Sequence, residues 1–215
     1  GCSALEHVDD LYSLTRLEYD VFSHCVSLIS VDCSDKLTAI GSSAFFGCKA
    51  LVSIGDLSNV TSIESSVFRG CIALKSIGNM PKLESIGMQC FMGCTALETV
   101  GDLSSLKEIP SETFDGCTSL VSIGDLSNVT IIGSYGFNQC KKLTSIPNLG
   151  SLESVNQFAF SGCESLALLG NLRKLTSFGY SPFYNCPNLV LEVLPDSAAE
   201  QYAKDYNMQY TYITE

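Results

Sequence analysis

Nine cysteines, at positions 2, 25, 48, 71, 94, 117, 140, 163 and 186, follow one another at steps of 23 residues without a slip. Self-similarity at a fixed period of about 20–50 residues marks a chain wound into stacked units, so this interval constrains the architecture before any local propensity does. Rows of 23 started at each such Cys give eight full rows over residues 2–185 and a remainder. The fourth column is Leu throughout, from Leu5 to Leu166, and the twenty-first is Phe throughout, from Phe22 to Phe183. The seventh holds Val, Ile or Leu (Val8 to Leu169), the thirteenth Leu or Val, the sixteenth Leu, Ile, Val or Phe. The tenth is Leu or Met except at Ser34. The residue before the Phe is usually small, as at Ala44, Cys90, Thr113, Gly136 and Ala159.

An apolar residue at every third position is close to helical spacing. Gly or Pro, however, interrupts six of the eight rows after the seventh column (Gly55, Gly78, Gly101, Gly124, Pro147, Gly170) and most rows after the sixteenth (Gly41, Gly87, Pro110, Gly133, Gly179). A 20-residue helix would not survive that punctuation. The rows predict instead two short extended segments each, as in Leu51–Ile54 and Val60–Ile63, followed by a short helical or 3₁₀ turn that carries the Phe. One row cannot fold alone. Burying its six or so large side chains contributes on the order of 12 kcal/mol, less than ordering 23 backbones costs at about 1–2 kcal/mol each. Stacking identical rows pairs their strands and joins their apolar rings, giving a solenoid of about nine coils, roughly 40 Å long.

The ninth column reads Asp10, Cys33, Asp56, Asn79, Asp102, Asp125, Asn148 and Asn171, nearly always next to a turn-forming residue. Asx side chains at turns accept from nearby backbone N–H groups, so Asp56, Asn79, Asp102, Asp125, Asn148 and Asn171 are expected to form a structural ladder capping the strand ends. Ser34 and Cys33 predict a distortion in the second row. The nine in-register cysteines read as buried structural thiols. Equivalent cysteines of neighbouring coils would be near each other, but parallel Cβ vectors suit a disulfide poorly, and CxxC-like zinc spacing is missing. Calcium at Asp56, Asp102 and Asp125 is a weaker alternative, since turn capping needs no metal. His7 and His24 show no triad spacing, and no GxSxG elbow occurs; we expect no catalytic residue, no cofactor and no metal. Asn59-Val-Thr61 and Asn128-Val-Thr130 match a glycosylation pattern, but each is repeat text whose Val belongs in the core.

What remains is surface. Charge excludes some partners: 12 Lys+Arg against 23 Asp+Glu leave −11, the opposite of a nucleic-acid or anionic-membrane binder. No uncharged apolar run is long enough for a transmembrane helix. Solenoids offer their exposed strand face as an extended platform. Here the fifth and sixth columns supply it: Val52, Ser53, Lys75, Ser76, Glu98, Thr99, Val121, Ser122, Thr144 and Ser145. The set is poor in the Tyr, Trp and Arg that dominate interface energetics. Scattered aromatics and Met (Phe46, Met88, Met92, Tyr135, Phe158, Tyr180, Tyr184) fall on the other side, in no single column.

The fragment Leu51-x-x-Ile54-x-Asp56-Leu57 resembles a variant of the leucine-rich repeat core, and Ile40-Gly-Ser-Ser-Ala-Phe-Phe-Gly-Cys48 is more specific. It resembles the bacterial BspA-like leucine-rich repeats, whose unit is also 23 residues. The resemblance implies a leucine-rich repeat solenoid, a right-handed β/α superhelix of parallel strands with a C-terminal cap. Residues 1–185 would be the solenoid and 186–215 a partial ninth repeat with a capping helix and strand. Ser197 reads as an N-cap, a helix runs to about Tyr206, and Gln209–Ile213 is β-prone. Gly rather than Pro after the first strand departs from many members. No polar cover precedes Cys2, so we expect residues upstream of Gly1; Gly1-Cys2 also suits a lipoprotein cleavage site, although the repeat alone explains that Cys. The family implies a non-enzymatic protein-binding or adhesion module, secreted or on a cell surface, that engages a host extracellular-matrix or bacterial surface protein. The rivals are a passive spacer in a larger surface protein and a carbohydrate-binding module, which would need a row of exposed aromatics.

Overall fold

The computed structural model describes residues 1–9 and 11–214, and the period of the sequence is the period of the backbone. Each coil carries two strands of two residues. One side is built from β1 (His7–Val8), β3 (Ser30–Val31), β5 (Ser53–Ile54), β7 (Ser76–Ile77), β9 (Thr99–Val100), β11 (Ser122–Ile123), β13 (Ser145–Ile146) and β15 (Leu168–Leu169). The second side is built from β2 (Arg16–Leu17), β4 (Ala39–Ile40), β6 (Ser62–Ile63), β8 (Ser85–Ile86), β10 (Glu108–Ile109), β12 (Ile131–Ile132), β14 (Ser154–Val155) and β16 (Ser177–Phe178). The pairings among these strands are all parallel and in a 23-residue register, such as Ser30 opposite Ser53 and Ser62 opposite Ser85. The strands are shorter than the sequence predicts because the chain must turn at once. Ladder bonds still reach one residue to either side, as from Val52 N–H to Ile29 O (2.9 Å) and Gly55 N–H to Val31 O (2.8 Å).

Glycine after several of the strands allows the coils to approach. A Cβ on Gly124 would lie 2.3 Å from the carbonyl oxygen of Gly101, and one on Gly87 2.3 Å from Ser65 N. No side chain fits there without parting the coils. The Phe corner replaces a helix with alternating bonds. Ser43, Phe45 and Gly47 donate their N–H groups to the next coil (Ser65, Val67 and Arg69 carbonyls), while Ala44, Phe46 and Cys48 donate three residues back. The backbone is satisfied, but positive φ at Ser43 (56°) and Gly47 (69°) stops the 3₁₀-type bonds from running on.

Inside, the columns stack. Phe45 and Phe68 rings lie 5.4 Å apart with planes at 2°, and Phe91 and Phe114 5.3 Å apart at 3°. The series runs from Phe22 to Phe183 and loosens only at its last pair, where the separation is 6.0 Å. Offset-parallel rings at this spacing add about 0.5–1.5 kcal/mol per pair beyond burial. Among the described residues no buried side-chain polar atom lacks a hydrogen bond.

The last coil is closed by β17 (Val190–Val193), α1 (Ala198–Asp205) and β18 (Gln209–Tyr212). Ser197 caps α1 by accepting from Glu200 N–H, and Glu200 in return accepts from Asp196 N–H at 2.8 Å. This reciprocal arrangement satisfies two otherwise orphaned donors. β18 pairs in parallel with β17 and extends the first sheet. Tyr202 of α1 lies flat on Phe178, centroids 4.0 Å apart, so the cap covers the ring that would otherwise face the next coil. No helix among the described residues is long and apolar enough to cross a membrane.

Candidate functional site

Alternation within each two-residue strand turns one side chain inward and one outward. It therefore places Ser53, Ser76, Thr99, Ser122 and Ser145 along the outer side of β5, β7, β9, β11 and β13, with Ser145 half-buried and the others exposed. The preceding residues Val52, Lys75, Glu98, Val121 and Thr144 are all exposed beside them. The main chain beneath is occupied: Glu98 N–H donates to Lys75 O (2.8 Å) and Val121 N–H to Glu98 O (2.9 Å). Neither Lys75 nor Glu98 is ion-paired among the described residues. The face is thus a flat, weakly polar strip with two aliphatic side chains, Val52 and Val121, set into it. At its first edge His7 Nδ1 lies 2.9 Å from Ser30 Oγ, with no carboxylate bonded to the ring among the described residues.

The ninth column behaves in two ways. Asp56, Asp102 and Asp125 each accept from the backbone N–H and the hydroxyl of the serine two residues on, Ser58, Ser104 and Ser127, at 2.8–3.1 Å. These bonds stay inside one coil. The asparagines reach across: Asn79 Oδ1 accepts from Asp102 N–H (3.0 Å), and Asn171 Nδ2 donates to Asn148 Oδ1 (3.0 Å). Asp10, the first residue of that column, lies outside the described residues. In the second row the cap shifts by one position, Ser34 Oγ accepting from Lys36 N–H at 3.0 Å. Both carboxylate oxygens of each Asp are thereby engaged by its own turn, and among the described residues no group of three or more His, Cys, Asp or Glu is close enough to hold a metal.

All eleven cysteines are free thiols. Burial pushes Cys33 up to about 11 and Cys48 up to about 12, and it raises Cys71, Cys90, Cys94, Cys117 and Cys140 further. The column has a bonding role that a reading of Cys as a small hydrophobe does not reveal. From Cys48 to Cys186 each thiol of the column donates to the carbonyl of the neighbouring coil's Phe, as in Cys71 Sγ to Phe45 O (3.1 Å) and Cys94 Sγ to Phe68 O (3.0 Å). That carbonyl already accepts the turn bond from the residue three on, so the thiol occupies its second lone pair. Asn59 and Asn128, in the glycosylation-like triplets, likewise spend their side-chain amides on Asp35 and Ser104 carbonyls one coil away, both at 2.8 Å.

The aromatics scattered in the sequence fall into clusters. Tyr135, Phe158 and Tyr180 touch in consecutive coils, ring centroids 5.4 Å apart in both steps. Counting columns one at a time conceals this row because Tyr180 sits one column earlier than the other two. The rings meet tilted and edge-on, so they pack on one another rather than present a common flat surface. Phe46 and Met92 lie elsewhere, in a groove over the Phe corners of the N-terminal half.

A family model described as a BspA type leucine-rich repeat region of six copies matches residues 1–98 and again 84–204. The chain belongs to the BspA-type leucine-rich repeat family. No curated protein matches this BspA-type chain in sequence. Among solved structures it is similar to a Treponema pallidum (T. pallidum) leucine-rich repeat protein, with 24% identity and a TM-score of 0.63 over 98% of this chain and 87% of that one. A leucine-rich repeat protein from Eubacterium ventriosum aligns at 20% identity and a TM-score of 0.67, over 83% of this chain and 57% of that one. A leucine-rich cell surface protein from Faecalibacterium prausnitzii aligns at 20% identity and 0.57, over 87% and 69%. At these identities the likeness is one of fold. The BspA-type repeat explains the 23-residue period, the Cys and Phe columns and the paired short strands together.

Proposed function

We propose that this BspA-type chain is a non-enzymatic protein-binding module of the bacterial cell surface or of a secreted protein, with a host extracellular-matrix protein or another bacterial surface protein as its partner. The observation that carries this reading is the strand face itself. Val52, Ser53, Lys75, Ser76, Glu98, Thr99, Val121, Ser122, Thr144 and Ser145 form an outward strip over five coils, roughly 20 Å long at about 4.8 Å per coil, exposed except for the half-buried Ser145 and bonded to the neighbouring coil, among the described residues, through the Thr144 hydroxyl on Val121 O (3.5 Å). Such a strip suits an extended or flat protein surface better than a small molecule, which binds in a concave pocket. The surface location is supported by the description of the Faecalibacterium neighbour as a cell surface protein.

The test is biolayer interferometry of the chain against immobilised extracellular-matrix proteins and intact bacterial cells. It is repeated with Val52→Asp and Val121→Asp together and with Lys75→Glu and Glu98→Lys together. Binding that falls about tenfold or more in either pair supports the strip as the platform. Binding that both pairs retain removes it. The lack of Tyr, Trp and Arg on the strip favours one second reading, a passive spacer, and that reading gains if nothing on the panel binds.

A further inference from the structure

The Phe corners carry a second surface, independent of the strand face. The twenty-third column is glycine at Gly47, Gly70, Gly93 and Gly116, all at positive φ (69°, 74°, 73° and 74°). With no side chains there, the corners leave a groove along the solenoid axis. A Cβ on Gly93 would meet nothing within 4 Å, and one on Gly70 only the Cα of Gly47 at 3.9 Å. The groove is stopped at one end by the His24 imidazole, whose Nδ1 would lie 2.9 Å from a Cβ on Gly47. Toward the other end the column changes to Gln139, whose side chain reaches over Gly162.

The walls have a definite chemistry. Phe46, Arg69 and Met92 line it from the twenty-second column, and Val26, Lys49 and Ile72 from the second. Ile72 is 47% exposed, a large share for an aliphatic side chain that could have been polar at no cost to the core. Among the described residues no carboxylate lines the groove. Lys49 has no ion pair among the described residues, while Arg69 is held by a neutral partner, Gln89 Oε1 at 2.7 Å, with its guanidinium 5.7 Å from the Phe46 centroid. In a chain of net charge −11, two cations left without carboxylates beside four apolar side chains are a local reversal of sign.

We propose that this groove binds an extended peptide segment of a partner protein, three to four residues long, in which an acidic side chain is flanked by aliphatic ones. The floor from Gly47 to Gly93 spans two coil spacings, about 10 Å, which an extended chain covers in about three residues at roughly 3.3 Å each. The carboxylate would meet Lys49 and Arg69 at mid-groove, Arg offering the planar donor fork that suits a carboxylate. The aliphatic neighbours would cover Ile72 and Met92.

The test is selection of a random octapeptide display library on the intact chain, with the enriched peptides then measured by fluorescence polarisation. Two variants address the groove. Arg69→Glu reverses the charge, and Gly93→Gln fills the floor; Gln139, at φ 58° in the same column, shows that the corner accepts this residue. Circular dichroism and a melting curve confirm that both variants fold. The expected result is a consensus with Asp or Glu beside aliphatic residues, whose affinity falls about tenfold or more in each variant and is unchanged by Lys75→Glu on the strand face. The proposal is overturned by no enrichment over the Gly93→Gln protein, by a basic or carboxylate-free consensus, or by affinities that both variants keep. It is also overturned if the wild type self-associates in sedimentation and Arg69→Glu abolishes it, because the occupant would then be a second copy. Failure here leaves the strand-face reading standing, since the interferometry variants change none of the residues that line the groove.

Discussion

Alkaline pH should unfold this protein through its thiols, over a window set by how many are buried. Eight cysteines are held above their ordinary value of 9.0: Cys33, Cys48, Cys71, Cys90, Cys94, Cys117 and Cys140 chiefly by burial, and Cys163 first by its hydrogen bond with Cys186 and then by burial. A thiol that stays protonated in the fold and ionises when released binds more protons in the native state. Its contribution is therefore intact below about pH 9 and is lost as pH rises from there toward the folded value. Each thiol then removes about 0.4 kcal/mol at pH 9 and about 1.4 kcal/mol at pH 10. The eight together remove about 3 and about 11 kcal/mol, the latter comparable with the whole stability of an ordinary domain, about 5–15 kcal/mol. Urea midpoints taken under a reductant from about pH 7.5 to about pH 10 should be flat at first and then collapse. Thiolate ultraviolet absorbance should rise in the same step, and Cys117 should resist Ellman's reagent until that step occurs. Replacing Cys94 and Cys117 with Ala lowers the starting stability but should flatten the pH slope by about a quarter, two thiols of eight, with every tyrosine unchanged. A midpoint that holds steady to about pH 10, or a slope indifferent to the two substitutions, would refute the reasoning.

Phe91→Ala or Phe137→Ala should cost about 3–5 kcal/mol in denaturant melts, since each ring is fully buried between two others; a loss below about 1 kcal/mol would contradict the stacked column. Gly124→Ala should destabilise by about 1–3 kcal/mol, although alanine is small and the position is not at positive φ, because the added methyl meets the neighbouring coil's backbone at 2.3 Å. The same change at Gly78, where nothing lies within 4 Å, should be nearly neutral and serves as the control. Glu200 is held down to about 2 by hydrogen bonds from Tyr212 and Lys204, with Asp196 N–H adding to them. A depressed carboxyl stabilises above its ordinary 4.5 and loses that contribution as pH falls toward 2. Protection of the amides in α1 and β18, taken relative to intrinsic exchange at each pH, should accordingly fall below about pH 4.5, and Glu200→Gln should reproduce the loosening at neutral pH.

Some of this molecule can be read directly from its residues and some cannot, for separable reasons. The Leu, Ile and Phe columns are legible because stacking demands the same apolar group at the same place in every coil, so eight rows repeat one statement. The corner is not. Its nineteenth column takes positive φ in every row, yet it is filled by Asp20, Ser43, Gln89, Tyr135 and Phe158 alike (55°, 56°, 59°, 58° and 52°), with no residue-type signature. Neighbouring coils impose that geometry through their carbonyls, at a cost of about 1–2 kcal/mol for an L-residue, and a single row gives no hint of it. The glycine-floored groove is hidden for a related reason: Gly47, Gly70 and Gly93 read as turn residues, and only stacking turns them into a channel.

The ninth column lies between these cases, and its split carries a signal within the repeat. Asp56, Asp102 and Asp125 are each followed by Leu and then Ser. Asn79 is followed by Met and Pro81, Asn148 by Leu and Gly150. A carboxylate only accepts, so an Asp stacked on an Asp has nothing to offer its neighbour and must find donors in its own turn; the serine two residues on supplies two. An amide both donates and accepts, so an Asn can bond to the coil beside it and needs no serine. Serine at the eleventh column thus marks where the cap closes on itself, and its replacement by Pro or Gly marks where one coil is tied to the next. The same donor count explains why like-charged Asp102 and Asp125 can occupy adjacent coils: each carboxylate is stabilised within its own turn by two hydrogen bonds rather than paired across the step.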